Sequence, residues 1–333
     1  MMAFLSGKAR GRWATFGATL CAAFTISLPL QTSAQAYPEK PITIIVPFPP
    51  GGATDILARM LGQKVSDAVK QPVLVDNKAG ATGAIGLTHV ARSAPDGYTL
   101  AIATASSLAA NPAVSKVSFD PVKDFSPIGI IALEPMGLAV HPSVKAASVR
   151  ELIALAKAKP GGLNMASFGT GSVSHLTGEL FNSIAGTKMT HVPYKGAAPA
   201  AADLIAGQVD LMFNSISVFL APAKAGKLRL IATAGSARSA VLPDLPTVAE
   251  SGLPGFDAGT WHAFIGPAGM APDSVALLSR EFGRALNLPD VKEKIASMSL
   301  EPQGMTPAQL SATLQRDAAK WKRIVAEAGI KLD

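Results

Sequence analysis

The chain has 333 residues, a formal charge of +7 and one cysteine, and its basic residues form no cluster interleaved with aromatics. That composition gives nucleic-acid binding little support, while a mildly positive surface suits small anionic ligands. Without residues 1–36, read below as a leader, 297 residues remain; three of the 30 basic residues and none of the 23 acidic ones are lost, so the charge falls to +4.

The leader is read from its charge and apolar pattern. Lys8, Arg10 and Arg12 form a basic start, 13–30 is mostly apolar, and Ala34-Gln35-Ala36 offers the small residues a signal peptidase reads before Tyr37. Pro29 and the polar run Gln31-Thr32-Ser33 end the apolar stretch too early for a membrane anchor. Leu20 before Cys21 argues against a lipoprotein, and Arg10-Gly11-Arg12 is not a twin-arginine pair. The reading is a signal peptide cleaved after Ala36, with a soluble chain in the periplasm. Cys21 departs with the leader, so the mature chain has no disulfide and no cysteine-ligated metal.

From Tyr37 onward, strand-like runs alternate with helical patterns. Strands are expected at 42–47, 73–76, 98–103, 128–132, 137–141, 163–167, 190–193, 209–213, 228–233 and 262–266. They are short and continuously apolar, as parallel strands covered on both faces are. A helix starts near Asp55, where Ile56, Leu57, Met60, Leu61, Val65 and Val69 recur at helical spacing. Further helices are expected at 148–159, 173–184, 199–206, 218–225, 272–286, 291–298 and 307–328. The order is that of a doubly wound α/β chain. Two stretches, 130–143 and 252–269, look like crossings between lobes. They divide the chain into one lobe of 37–135 plus 260–333 and a second of 136–259, joined by a two-strand hinge with a ligand cleft between them.

The loops that follow strands carry the candidate chemistry. The corner "IIVPFPPGGATDILA" places Pro47, Pro49 and Pro50, then Gly51 and Gly52, between a buried strand and a helix. Free N–H groups at a helix start carry partial positive charge and suit a carboxylate. Glycine admits an anion close to the backbone, and the prolines fix the loop before binding. Thr54 or Asp55 is read either as a plain N-cap or as a ligand contact. The second loop, "SFGTGSVSHL", again joins strand to helix and offers the Ser167, Thr170 and Ser172 hydroxyls with glycine N–H groups. Lesser candidates are Thr104, Ser106 and Ser107, the Tyr194-Lys195-Gly196 turn, and Asn214-Ser215, each at the C-terminal end of a strand where open sheets place ligands.

Catalytic and cofactor motifs are absent. There is no G-x-S-x-G and no phosphate loop, and Gly80, Gly83 and Gly86 are wrongly spaced for a dinucleotide. His89, His141, His175, His191 and His262 are scattered without H-E-x-x-H. His175 and Glu179 share a helix face, which fits a packing histidine better than half a metal site. A Ser172/His175 pair with a distant Asp is the weakest alternative, a periplasmic serine hydrolase. The expectation is a protein that is no enzyme and holds no cofactor and no metal.

The strings "PITIIVPFPPGGATDILAR", "VDNKAGATGAIG", "APDGYTL", "SFGTGSVSHL", "HVPYKGAAPAAADLIAGQVDLMFNS", "LPTVAESGLPGF" and "GTWHAFIGPAGMAP" occur in this order. Together they closely resemble the substrate-binding receptors of tripartite tricarboxylate transporters, often called Bug-type receptors, over 37–333. The resemblance implies a type II periplasmic binding protein fold with two α/β lobes and a closing cleft. It implies a small carboxylate ligand (a dicarboxylate, an acidic amino acid or an aromatic acid) delivered to a two-subunit membrane permease, with a monomer expected. It also implies ligand contacts at Phe48, Gly52, Ala53 and Asp55 and at Ser167, Gly169, Thr170, Gly171 and Ser172, with His175 in support. A receptor of the same fold that reports to a membrane sensor kinase is the alternative. The lack of an arginine clamp favours a mono- or dicarboxylate over a tricarboxylate. Loops near 104–107, Lys195 and Asn214 are expected to set specificity.

Overall fold

The computed structural model describes residues 37–330; the leader expected over 1–36 lies outside the described residues. Residues 37–330 form two lobes, each on its own sheet. The first sheet has six strands: β1 (Ile42–Val46), β2 (Val73–Asn77), β3 (Thr99–Thr104), β4 (Phe125–Glu134), β10 (Thr260–Pro267) and the short β11 (Glu301–Pro302), in the order β11-β4-β10-β3-β1-β2. The second has five: β5 (Met136–Val140), β6 (Asn164–Ser167), β7 (Thr190–Pro193), β8 (Leu211–Ser215) and β9 (Arg229–Thr233), in the order β7-β6-β8-β5-β9.

The all-parallel expectation needs correction. β10 runs antiparallel to β3 and β4, β11 runs antiparallel to β4, and β5 runs antiparallel to β8 and β9. The reason is the crossing. β4 runs up to Glu134-Pro135, and β5 carries the chain away from that point into the second sheet. β10 makes the return journey, starting beside the crossing with Thr260 opposite Glu134. β5 and β10 therefore both run away from the crossing, against neighbours β8, β9, β3 and β4 that end facing it. The Thr260 hydroxyl donates to the Glu134 carbonyl at 2.6 Å, and the Ala234 N–H donates to the Met136 carbonyl at 2.8 Å, so the paired connectors are stitched together.

Helices cover both faces of each sheet. α1 (Ala53–Val69) buries Leu57, Leu61 and Val65 completely against the first sheet, each worth about 1.5–3 kcal/mol of burial. α2 (Ala84–Ala91), a π-helical turn at Ser106–Ala110 and α3 (Asn111–Val114) were not legible from periodicity. The second lobe carries α4 (Val149–Ala158), α5 (Val173–Ala185), α6 (Ala197–Ile205) and α7 (Ile216–Lys224). α8 (Pro272–Leu286), α9 (Pro289–Ser297) and α10 (Pro307–Glu327) return to the first sheet. Phe264 of β10 stacks on Phe282 of α8 at 3.8 Å. On the opposite face, buried Asp317 of α10 accepts from the Trp261 indole at 2.9 Å and pairs with Arg316 and Lys320, which fixes β10 laterally. α10 also reaches the second lobe, where the Ser183 hydroxyl of α5 donates to Glu327 at 2.8 Å.

Candidate functional site

The corner between β1 and α1 is held from behind. Pro47 packs on α2, where a β-carbon at Gly86 would come within 2.9 Å of both the Pro47 side chain and the Lys78 carbonyl. The glycines of 80–86 thus allow close packing. α1 begins at Ala53, two residues earlier than its sequence pattern suggests, with Gly52 as N-cap; neither Thr54 nor Asp55 caps it. Asp55, three residues past the cap, instead reaches back. Its Oδ2 accepts the Gly51 N–H at 3.0 Å, and its carboxylate also accepts from Arg59 Nε at 3.1 Å and Asn77 Nδ2 at 2.9 Å. Asn77 donates as well to the Phe48 carbonyl at 3.1 Å. Burial by itself would raise the Asp55 pKa, but the hydrogen bonds from Arg59, Gly51 and Asn77 and the Arg59 charge hold it below its ordinary value. Among the described residues, the N–H groups of Gly52, Ala53 and Thr54 have no protein acceptor.

The loop between β6 and α5 is tied in the same way. The Ser167 and Ser172 hydroxyls both donate to the Gly169 carbonyl, at 3.1 and 2.6 Å. Ser172 caps α5 by accepting the His175 main-chain N–H at 3.3 Å. The ring Nδ1 of His175 accepts the Gly171 N–H at 3.0 Å, so it cannot serve Ser172 as a base. That geometry removes the support for a serine hydrolase. The His175 ring stacks on His191 at 3.6 Å, and His191 Nε2 lies 2.7 Å from the Ser167 hydroxyl. Burial, joined by the neighbouring His191, lowers the His175 pKa to about 4, and burial lowers His191 to about 4. Both rings are neutral at pH 7 and act as loop supports. His175 Nε2 stands 3.7 Å from Glu179, a contact between a neutral ring and a carboxyl that burial pushes up. Gly171 has φ +75°, and a β-carbon there would come within 2.7 Å of Val114 on the first lobe. Among the described residues, the N–H groups of Thr170, Val173 and Ser174 have no protein acceptor.

These two helix starts open on one cavity of about 260 Å³, just below the range of about 300–1,000 Å³ for small-molecule sites. Phe48, Ala53, Thr54, Thr104, Ser106, Thr260 and His262 line it from the first sheet and its loops, and Phe168, Val173, Asn214 and Ser215 from the second. Glu134 and Met136 line it at the crossing. Of the residues singled out from sequence, Phe48, Ala53, Thr104, Ser106, Asn214 and Ser215 therefore line the cavity directly. Gly52, Asp55, Ser167, Gly169, Thr170, Gly171 and Ser172 form the loops around it without lining it. Ser107 is fully buried, its hydroxyl and N–H engaged with Thr104, and Lys195 is exposed away from the lining.

Thr54, weighed from sequence as N-cap or ligand contact, lines the cavity; Glu134, Met136, Phe168, Val173, Thr260 and His262 were missed. The signal for four of them was available, since residues flanking a strand crossing must lie on the floor of the cleft it spans. A second cavity, lined by Trp261 and Arg316 among others, lies on the α10 side of the crossing. Its Arg238 is paired with Glu250 at 2.9 Å and its Arg316 with Asp317 at 3.2 Å, so both cations are already engaged.

Two α/β lobes on paired crossing strands, with a small cavity at the crossing, define a periplasmic solute-binding protein. A family model described as "Tripartite tricarboxylate transporter family receptor" matches residues 57–330, and the chain belongs to that family. It is 37% identical over 310 residues to Protein BugT of Bordetella pertussis, covering 92% of this chain and 95% of that protein. The Rpa4515 protein of R. palustris, solved with adipate, is 33% identical with a TM-score of 0.74 and covers 89% of this chain and 100% of its own. MatC from Rhodopseudomonas palustris with bound malate is 32% identical with a TM-score of 0.70, covering 87% and 100%. The family is one of receptors, not enzymes. Among the described residues no helix is long and apolar enough to cross a membrane.

Proposed function

We propose that this chain captures a small carboxylate in the cavity at the crossing, by closure of the lobe 37–135 plus 260–333 onto the lobe 136–259. It then delivers the ligand to the large and small membrane subunits of a tripartite permease. The observation that carries this reading is the pair of helix starts. Unpaired N–H groups of Ala53 and Thr54 on one side and Val173 on the other belong to residues that line a single cavity, with those of Gly52 and Thr170 in the adjoining loops, and such groups favour an anion. Asp55 and the His175–His191 stack hold the two loops in shape before the ligand arrives, which lowers the ordering cost of binding. Adipate and malate in the two relatives fit the same ligand class. Export, with cleavage after Ala36, places the mature chain beside its permease.

The test is a melting screen of the mature protein against a panel of small carboxylates. A ligand at 100 times its Kd stabilises by about 2.7 kcal/mol, which such a screen resolves. If no carboxylate moves the midpoint, and native mass spectrometry finds no carboxylate carried through purification, the reading is wrong. Pull-down of the permease subunits by the loaded receptor tests delivery; capture of a sensor-kinase domain in their place would transfer the protein to signalling.

A further inference from the structure

Where it meets the crossing, the cavity has a charge opposite to the one a dicarboxylate receptor needs. Among its lining residues there is no lysine and no arginine; the one carboxylate is Glu134, and the one other titratable group is His262. Glu134 is one-third exposed at the crossing, with His262 Nε2 3.4 Å from its Oε2. Burial pushes the Glu134 pKa up, but the His262 ring and the Ser215 hydroxyl more than offset it, so the carboxyl is ionised at neutral pH.

His262 is buried to 2% exposure on β10, with Nδ1 3.5 Å from the Thr54 hydroxyl. A carboxylate beside Nε2 favours the tautomer that carries its proton there, with Nδ1 left to accept from Thr54. At 3.4 Å, the long end of the hydrogen-bond range, the approach to Glu134 leaves the buried Nε2 without a completed hydrogen bond among the described residues. A buried orphan polar atom beside an incompletely paired carboxylate marks a place where a ligand group completes the bonding. A second carboxylate arriving there would face Glu134 with no lysine or arginine in the lining to separate them. An ammonium or other N–H donor would instead satisfy Glu134.

We propose that Glu134, positioned by His262, determines specificity at the distal end of the ligand, selecting a carboxylate whose far end carries a hydrogen-bond donor, best an ammonium, over a dicarboxylate. This rests on the carboxylate reading above and narrows it. The two glycine loops take the carboxylate, and the crossing strands take the donor.

The experiment compares acids matched in carbon number by calorimetry: 4-aminobutyrate with succinate, 5-aminopentanoate with glutarate, and 6-aminohexanoate with adipate. The expected result is that at least one amino acid binds tenfold or more tightly than its matched dicarboxylate. Glu134→Gln should cut that ratio by tenfold or more, chiefly through tighter dicarboxylate binding, while Glu134→Asp should keep dicarboxylates excluded. Dicarboxylates that bind as well as or better than their partners in the unmodified protein overturn this proposal and leave the carboxylate reading standing. An unchanged ratio in folded Glu134→Gln also overturns it. Should no acid of either class bind, while broader screening finds a ligand without a carboxylate, both readings fall. The ratio in the unmodified protein tests the selectivity even where the Gln variant does not fold.

Discussion

Substituting Asp55 by Asn separates a residue that shapes the corner from one that touches the ligand. The buried Asp55 carboxylate accepts from the Gly51 N–H, Asn77 Nδ2 and the Arg59 guanidinium. An asparagine keeps one acceptor oxygen and turns an NH2 toward the remaining donors. Leaving a buried donor unpaired costs about 1–3 kcal/mol. Losing the pairing with Arg59, whose side chain is 52% exposed, adds only about 0–1 kcal/mol. The expected loss is about 1–4 kcal/mol, read as a lower urea midpoint with no ligand present. Because folding lowers this pKa, the carboxylate's contribution is present above its unfolded value of 3.8 and is lost as pH falls through the folded value. The gap between Asp55→Asn and the unmodified protein should therefore be full at pH 7 and shrink below about pH 4. Asn77→Ala should be strongly non-additive with Asp55→Asn, since both act on one network. Stability unchanged within about 0.5 kcal/mol, together with a tenfold or greater loss of carboxylate affinity, would refute this reasoning and make Asp55 a direct ligand contact.

Other consequences are open to similar measurement. Gly171→Ala forces a β-carbon into φ +75° and toward Val114 at 2.7 Å, for a loss of about 2–4 kcal/mol that Val114→Ala partly relieves; additive losses would exclude the contact. The neutral His175–His191 stack should make stability fall as pH drops from about 6.5 toward about 4, because the unfolded chain binds protons that the folded rings refuse. The drop is on the order of 1–3 kcal/mol; His191→Gln should flatten it, and parallel pH profiles would contradict the assignment. Ser172→Ala should cost about 0.5–2 kcal/mol as a lost cap. Ester turnover by the unmodified protein that vanishes in this variant would reopen the hydrolase reading.

Local pattern was enough for the scaffold. The corner after 42–47, the apolar spacing from Ile56 to Val69 and the strand–loop–helix at 163–184 were legible because burial on a strand or helix face imposes a period on neighbours in sequence. α2 escaped notice because its seat against Pro47 depends on glycines, whose role shows only when the opposing surface is present. The π-helical turn after β3 likewise rests on a Thr104–Ser107 exchange that has no periodic signature.

The sequence by itself determined that two glycine-bearing loops each follow a strand and start a helix, since φ freedom and helix-end polarity are properties of a few adjacent residues. Only the tertiary structure decided what each residue does there. It tied the Asp55 carboxylate to Gly51, Arg59 and Asn77 in place of a helix cap, gave the His175 ring to the Gly171 N–H, and brought Glu134 and His262, 128 positions apart in the chain, to 3.4 Å on the floor of one cavity. Hydrogen-bond partners and cavity walls are chosen by proximity in space, and here that proximity comes from a strand crossing whose two halves are separated by an entire lobe.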